Sequence, residues 1–236
     1  MANFKIHLTV ATIGSGLVST ALLGAGIASP IESVVLWGAG TLGGILPDID
    51  ADHSTAVKSI FTAFAIVLGV LALFGLADSY SILELWIVFS LTYGIVRYPV
   101  LKIFYRFTVH RGIFHSIVAA LFFGFLTAAL SFHFFDLEEQ LSWILGVFIS
   151  LGYIIHLSLD EIYSVDLTDN ALKTSFGTSL ELFDYSNLKT SALMIFAMVA
   201  VFFITPNIES LTSWLFAAST YHDIADSFLP NWHWLT

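Results

Sequence analysis

The chain has 236 residues, of which 57% are hydrophobic and only 11% are charged. An ordinary soluble domain carries roughly 25% charged residues. The composition therefore excludes a soluble enzyme and indicates an integral membrane protein, which we expect to form a single domain over residues 1–236. The formal net charge of −10 argues against nucleic acid or anionic lipid headgroups as surface partners. The absence of cysteine excludes disulfides, thiolate metal sites and cysteine nucleophiles.

Seven apolar stretches approach the length of about 20 residues that a membrane-spanning helix needs. They are His7–Ala28, Ile31–Leu46, Val57–Ala77, Ile82–Phe104, Gly112–Phe135, Leu141–Tyr163 and Thr190–Thr205. We therefore predict an all-α fold, a polytopic transmembrane helical bundle of about seven spans. The second stretch is rich in glycine, which suits close packing against neighbouring helices. Residues 208–236 are expected to form an interfacial helix followed by an aromatic tail.

The basic residues predict the orientation of these spans, because lysine and arginine concentrate in cytoplasmic loops. One set of connections carries Lys5, Lys58, Lys102, Arg106 and Arg111. The alternate connections carry acidic residues and no basic ones. The asymmetry predicts a multi-pass protein of the inner membrane with a cytoplasmic N-terminus, and seven spans would then place the C-terminus in the periplasm.

Four segments with unusual polar residues reach the cytoplasmic face in this topology. His7 opens the first span, and an aspartate-rich stretch, Leu46–His53, follows the second. The stretch His110–Ser116 opens the fifth span, and His156 and Asp160 lie near the end of the sixth. Ionisable residues inside a membrane span are costly and usually functional, so their convergence predicts a site on this face. The remaining histidines (His53, His133, His222 and His233) are interpreted as ordinary polar residues.

The residue types in these segments are those of a metal site. Histidine and aspartate hold zinc, manganese, iron or magnesium where thiolates are missing. His156 and Asp160 are spaced i, i+4 and therefore share a helix face, whereas His110 and His115 cannot share a face of a regular helix. Each motif alone also has a structural explanation, as a helix-capping turn or a hydrogen bond between helices. The candidate ligands are His7, Asp48, Asp50, Asp52, His110, His115, His156 and Asp160.

Eight candidate ligands exceed the four of a single tetrahedral zinc, so we expect one or two divalent ions. Zinc is the first choice, with manganese, iron or magnesium as alternatives. A two-metal site suits hydrolysis of a phosphoester. Arg111 would then hold a phosphoryl oxygen, one of Asp48, Asp50 or Asp52 would act as general base, and Ser116 would donate a hydrogen bond or, less readily, attack.

The motifs, in this order, resemble those of the YdjM-like group of membrane-bound, metal-dependent hydrolases, LexA-regulated proteins of the bacterial inner membrane. The shared features are the early His7, Leu-Pro-Asp-Ile-Asp-Ala-Asp at Leu46–Asp52, His-Arg-Gly-Ile-Phe-His-Ser at His110–Ser116, and the pair His156 and Asp160. The resemblance extends from residue 7 to about residue 183. It implies a metal-dependent hydrolase of the bacterial inner membrane.

The leading hypothesis is an inner-membrane metallohydrolase with its site at the cytoplasmic face. A site at the level of the headgroups makes a phosphoester of a lipid or lipid-linked compound the natural substrate class, with the bilayer as partner. One alternative is a seven-span zinc amidase of the ceramidase type. A divalent-cation transporter, which needs polar groups at mid-membrane or on both faces, and a non-catalytic scaffold are others. The polar connection at about residues 164–189 is too long for an idle loop and is predicted to cap the site.

Overall fold

The computed structural model describes residues 3–50, 55–77, 79–102, 114–166, 171–172, 180–183, 185 and 187–228. Its helices are α1 (Phe4–Gly24), α2 (Pro30–Gly43), α3 (Thr55–Gly75), α4 (Ile82–Ile95), α5 (Ile117–Phe135), α6 (Glu139–Ser164), α7 (Leu188–Phe202), α8 (Ile208–Leu215) and α9 (Ala218–Phe228). A 3-10 helix covers Leu46–Asp50, and a π-helical turn covers Val96–Val100. Two-residue strands, β1 (Val165–Asp166) and β2 (Ala171–Leu172), pair antiparallel after α6. The predicted all-α class is confirmed.

Four helices are long and apolar enough to cross a membrane. They are Phe4–Gly24, Val57–Gly75, Ile117–Phe135 and Glu139–Ser164. Two of the other predicted spans contain α2, of 14 residues, and α7, of 15 residues. At 1.5 Å per residue these two helices extend roughly 21–23 Å, less than the hydrocarbon core of about 30 Å. The third contains α4, of 14 residues, which continues without a break through the π-helical turn to Lys102. The described helices therefore establish a helical membrane protein, and the count of seven spans stays a prediction.

Local sequence signals explain where the helices begin. The side chain of Asn3 accepts a hydrogen bond from the Ile6 amide at 3.0 Å and caps α1. Ser29 and Glu32 form a reciprocal capping box at the start of α2, with Pro30 in the first turn. Ser116 caps α5 by accepting from the Ala119 amide at 3.2 Å. These contacts satisfy amide groups that the first turn of a helix leaves without an intrahelical partner.

The chain packs as two compact units. The first comprises Met1–Pro47 and His115–Thr236, and the second comprises Asp48–Phe114. In the first unit α6 is central, because it packs against α1, α2, α5 and α8, while α7 packs against α5 and α9 against α1. The side chains of Tyr153, Phe148 and Leu157 on α6 are fully buried. In the second unit, α3 packs along α4 and the π-helical turn.

Glycines set the close approach of α2 to α6. A Cβ atom at Gly43 would collide with the backbone of Ile149, and one at Gly152 would collide with the carbonyl of Gly40. The two backbones therefore touch without intervening side chains, as the composition of the second predicted span suggested. This contact positions the C-terminal end of α2 against the second half of α6.

At the other end of the first unit, apolar side chains close the space between the helices. Leu22, Ala28, Leu36, Ile144, Leu145 and Phe148 form a buried cluster. Trp214 on α8 and Ile224 on α9 pack against it. The segment predicted as one interfacial helix is thus two short helices that cover this cluster, and the aromatic tail beyond Phe228 lies outside the described residues.

Candidate metal centre

Three helices bring ionisable side chains to one end of the first unit. His7 lies in the first turn of α1, and His156 and Asp160 lie in the last turns of α6. His115 directly precedes Ser116, the N-cap of α5. His7, His156 and Asp160 are all at most 1% exposed, and the side chain of His115 is 18% exposed. His115 is therefore the member of the cluster that is most accessible.

The three imidazoles surround one carboxylate. Nε2 of His7 lies 3.2 Å from Oδ1 of Asp160. On the other oxygen, Oδ2, Nε2 of His156 lies at 3.5 Å and Nε2 of His115 at 3.7 Å. The rings of His7 and His156 are stacked, with centroids 3.6 Å apart and planes inclined by 11°. His7, His156 and Asp160 each offer a ligand atom within 4.8 Å of the others.

A backbone carbonyl orients the central histidine. Nδ1 of His156 lies 2.7 Å from the carbonyl oxygen of Gly44 and donates its hydrogen to it, since a carbonyl can only accept. In the neutral ring this hydrogen bond places the lone pair on Nε2, the nitrogen that faces Asp160. Metal-ligating histidines usually donate their second nitrogen in this way, to a carbonyl or a carboxylate. His7 differs from His156 in this respect, because its Nδ1 is buried without a hydrogen-bond partner among the described residues.

The spacing of these atoms fits a divalent metal better than a set of direct hydrogen bonds. The three N···O separations of 3.2, 3.5 and 3.7 Å lie at or beyond the usual upper limit for N–H···O contacts. A tetrahedral zinc with ligand bonds of about 2.0–2.1 Å holds its ligand atoms roughly 3.3 Å apart. The donor set and its spacing therefore fit a His/Asp metal site.

The connection after α6 returns to this end of the unit. The amide of Ile117 donates to the carbonyl of Glu181 at 3.0 Å, and the amide of Val118 donates to that of Leu182 at 3.1 Å. These bonds tie the end of the predicted cap to the first turn of α5, next to His115. Residues 167–170 and 173–179 lie outside the described residues, so the cap itself stays a prediction.

The remaining predicted site residues divide into three groups. Ser116 is buried and accepts from an amide of its own helix, which gives it a structural role as an N-cap. Asp48 lies in the 3-10 helix at the start of the second unit. Asp52, His110 and Arg111, and the side chain of Asp50, lie outside the described residues. For the residues of all three groups, the assignment as ligand or catalytic group stays a prediction.

Sequence analysis missed one group that contributes to the site. The carbonyl of Gly44 orients His156, yet a backbone group leaves no side-chain signature. The glycine pair at positions 43 and 44, shortly before the Leu46–Asp52 motif, could have indicated this contact, because glycine permits the backbone to approach another helix. His133, interpreted as an ordinary polar residue, lies at the end of α5 opposite to His115, where its Nε2 bonds the Ile204 carbonyl at 2.8 Å.

Comparison with known families places this geometry in context. The family model described as YdjM inner membrane protein matches residues 7–168. The chain belongs to this family. The match begins at His7, includes His115, His156 and Asp160, and confirms the resemblance that the motifs indicated. As a YdjM-family protein with several apolar helices, the chain is embedded in the inner membrane. No curated protein and no solved structure matches it.

Proposed function

We propose that this YdjM-family protein is a metal-dependent hydrolase of the inner membrane. The observation that carries the proposal is the convergence of three imidazole Nε2 atoms on the buried carboxylate of Asp160. His7, His156 and Asp160 would hold a divalent ion, zinc first, with His115 as the most exposed ligand. Oδ1 of Asp160 faces His7, and Oδ2 faces both His156 and His115, so the carboxylate and the imidazoles together would supply ligands for one or two ions.

The substrate class follows from the position of the cluster. His7 and His156 lie in the first and last turns of two helices that are long and apolar enough to cross a membrane. In this proposal, that end of the two helices lies at the level of the lipid headgroups. We therefore propose a phosphoester of a lipid or lipid-linked compound as substrate. The bound metal would supply Lewis acidity and activate water near neutral pH. The most exposed ligand, His115, marks the side from which the substrate would enter.

Two further roles in the proposed mechanism are inferred from the sequence motifs alone. Arg111 would hold the phosphoryl group through two guanidinium contacts. One of Asp48, Asp50 or Asp52 would accept the proton released from water, since carboxylates are the available bases in the motifs.

The proposed topology has seven spans, a cytoplasmic N-terminus and a periplasmic C-terminus, from the distribution of basic residues. Reporter fusions after Gln140 and at Thr236 should both report the periplasm. A cytoplasmic signal at Thr236 would show that the span at Thr190–Thr205 has been misassigned.

The experiment that tests the function combines metal analysis with turnover. Wild-type protein in detergent should carry stoichiometric divalent metal, and His156→Ala should lose it. A phosphomonoester, a phosphodiester and an amide such as ceramide should be offered in parallel, and we expect phosphoester cleavage. Arg111→Lys should keep the metal but lose about 100-fold in rate, the scale of removing one preorganised charge-stabilising donor.

The outcomes separate the candidate functions. Folded wild-type protein without metal would reject the metal site. Cleavage of the amide alone, with Arg111→Lys fully active, would replace phosphoester chemistry by amide hydrolysis. Metal flux into liposomes with no hydrolysis of any substrate would indicate a transporter.

A further inference from the structure

An open, shallow cleft with a mostly apolar lining lies on the second unit, along one helical segment that carries two cations. It has a volume of about 340 Å³ and is lined by Arg97, Tyr98, Pro99, Leu101 and Lys102. This volume is at the lower end of the range for small-molecule sites. The net charge of −10 disfavours anionic lipids over the surface as a whole, but two of the eight lysine and arginine residues lie together at this cleft, which makes it a local exception. The lining residues include no acid.

The π-helical turn brings the two cations to the same cleft. Arg97 and Lys102 are five residues apart, a spacing that puts side chains on different faces of a regular α-helix. The turn at Val96–Val100 has the wider i→i+5 pattern, which brings residues five apart closer to alignment. Pro99 lies inside this turn. Such turns are rare and occur often at functional sites.

Arg97 is held in place without being neutralised. Its Nε donates to Oγ1 of Thr62 on α3 at 2.9 Å, and its guanidinium lies 5.6 Å from the ring centroid of Tyr98. Within the described part of the chain, neither Arg97 nor Lys102 forms an ion pair with a carboxylate. By sequence there is no acid between Glu84 and Asp136, so the adjoining chain supplies no counter-charge either. The Nη groups of Arg97 are therefore available for an anion.

A third cation lies at the same end of the α3–α4 pair. Thr62 Oγ1, which accepts from Arg97, donates to the carbonyl of Lys58 at 2.7 Å. Lys58 is thus one helical turn from the Arg97 contact, near the start of α3. Glu84 lies at the beginning of α4, at the other end of the pair. The positive end of the pair is the one that the distribution of basic residues assigns to the cytoplasm.

We infer that this cleft binds the phosphate headgroup of an anionic phospholipid from the cytoplasmic leaflet. Arg97 would contact the phosphate through its planar guanidinium, and Lys102 would act as a second, mobile charge. Tyr98 and Leu101 border the cleft with apolar surface for the first part of the acyl chains, and tyrosine is typical of this depth in a bilayer. Basic pockets between membrane helices on the cytoplasmic side bind anionic headgroups in this way. Lipid binding at this cleft does not depend on the proposed hydrolase activity.

The test measures binding of tail-labelled phosphatidic acid to the full-length protein in detergent, with phosphatidylcholine as the neutral comparison. We expect wild type to prefer phosphatidic acid. The double variant Arg97→Gln/Lys102→Gln should bind it about 30-fold more weakly, on the scale of two basic residues near an anionic bilayer. The matched control Lys5→Gln/Lys189→Gln removes the same charge at exposed positions of the first unit and should stay within about twofold of wild type.

A second variant tests the cleft without removing either cation, in case the double variant misfolds. Thr62→Val keeps every charge but removes the anchor of Arg97, so a smaller loss, about threefold to tenfold, is expected for the loss of one hydrogen bond. Because phosphatidic acid also belongs to the proposed substrate class, the comparison is repeated in an Asp160→Asn background, where Arg97→Gln/Lys102→Gln should still weaken binding about 30-fold.

Four outcomes would overturn the inference. Equal losses in the double variant and the charge-matched control would mean nonspecific attraction, and unchanged binding in the double variant would exclude the cleft. Complete loss of lipid binding in Asp160→Asn would show that the lipid binds at the metal centre and not at the cleft. Displacement of the lipid by inorganic phosphate at equal concentration would identify free phosphate, not a lipid headgroup, as the ligand.

Discussion

Both ends of the first unit contain a histidine whose ring nitrogen bonds a backbone carbonyl, yet the two ends differ in kind. At one end, His133 is exposed and bonds the carbonyl of Ile204, which ties α5 to the end of α7. At the other, His156 is fully buried, bonds the carbonyl of Gly44, and turns its second nitrogen towards Asp160. The carbonyl contact is common to both; only the second has a carboxylate and two further imidazoles around it.

The difference shows how one residue type serves two purposes. At the end with His133, polar side chains join neighbouring segments: Trp143 donates to the carbonyl of Asn207 at 3.0 Å, and Ser210 bonds Glu139. Apolar packing by Leu22 and Phe148 closes that end. At the end with His156, buried polar groups cluster around one carboxylate. Burying ionisable groups costs free energy, which a bound cation would offset.

The largest expected effect is loss of metal at the polar end. Asp160→Asn keeps the size of the side chain but removes the charge on which the imidazoles converge. Metal affinity should fall by more than about 100-fold, above the 10- to 100-fold cost of losing an outer-shell partner. Elemental analysis after dialysis measures this. The matched control is Asp136→Asn at the other end, where the residue has a positive φ of 52° that asparagine tolerates. Stoichiometric metal in purified Asp160→Asn would show that the carboxylate of Asp160 is not needed to hold the metal.

A loss of stability without loss of metal is expected at the apolar end. Leu22→Ala removes a buried side chain and should lower the free energy of unfolding by about 2–5 kcal/mol. Its neighbour Leu23 is 39% exposed, so Leu23→Ala should cost clearly less. Thermal unfolding in detergent compares the two, and metal per folded molecule should stay constant. Equal shifts for both variants would show that the cluster is not closely packed.

A smaller effect is expected where α2 meets α6. Gly43→Ala forces a Cβ against the backbone of Ile149, at a cost of about 1–3 kcal/mol. Because Gly44 follows directly, the carbonyl that orients His156 should shift and metal affinity should fall as well. Gly38→Ala is the control, since nothing lies within 4 Å of the added atom. Metal titration and thermal unfolding should separate the two variants, and identical behaviour would contradict the close helix contact.

The smallest effect is expected at His133. Removing its exposed hydrogen bond to Ile204 in His133→Ala should cost about 0.5–1.5 kcal/mol and leave the metal content unchanged. Thermal unfolding and elemental analysis on the same sample provide the measurement. Metal loss in His133→Ala would mean that the two ends are not independent.

The sequence by itself determined the class of the protein and the residue types of its candidate site. Long apolar stretches with few charges require helices in a bilayer, because only helices satisfy their own backbone there. The i, i+4 spacing of His156 and Asp160 was sufficient to put them on one face of a helix. The positive-inside asymmetry predicted that His7 and His115 approach the same membrane face, and the structure places both beside Asp160.

Only the tertiary structure decided which of these groups meet and what holds them. Periodicity identifies the face of a helix but not its partner, which depends on how helices pack over long sequence separations. The carbonyl of Gly44 reaches His156 because glycines let α2 touch α6, and a backbone acceptor is invisible in a list of side chains. The cleft at Arg97 and Lys102 likewise depends on a π-helical turn, since in a regular α-helix these residues lie on different faces.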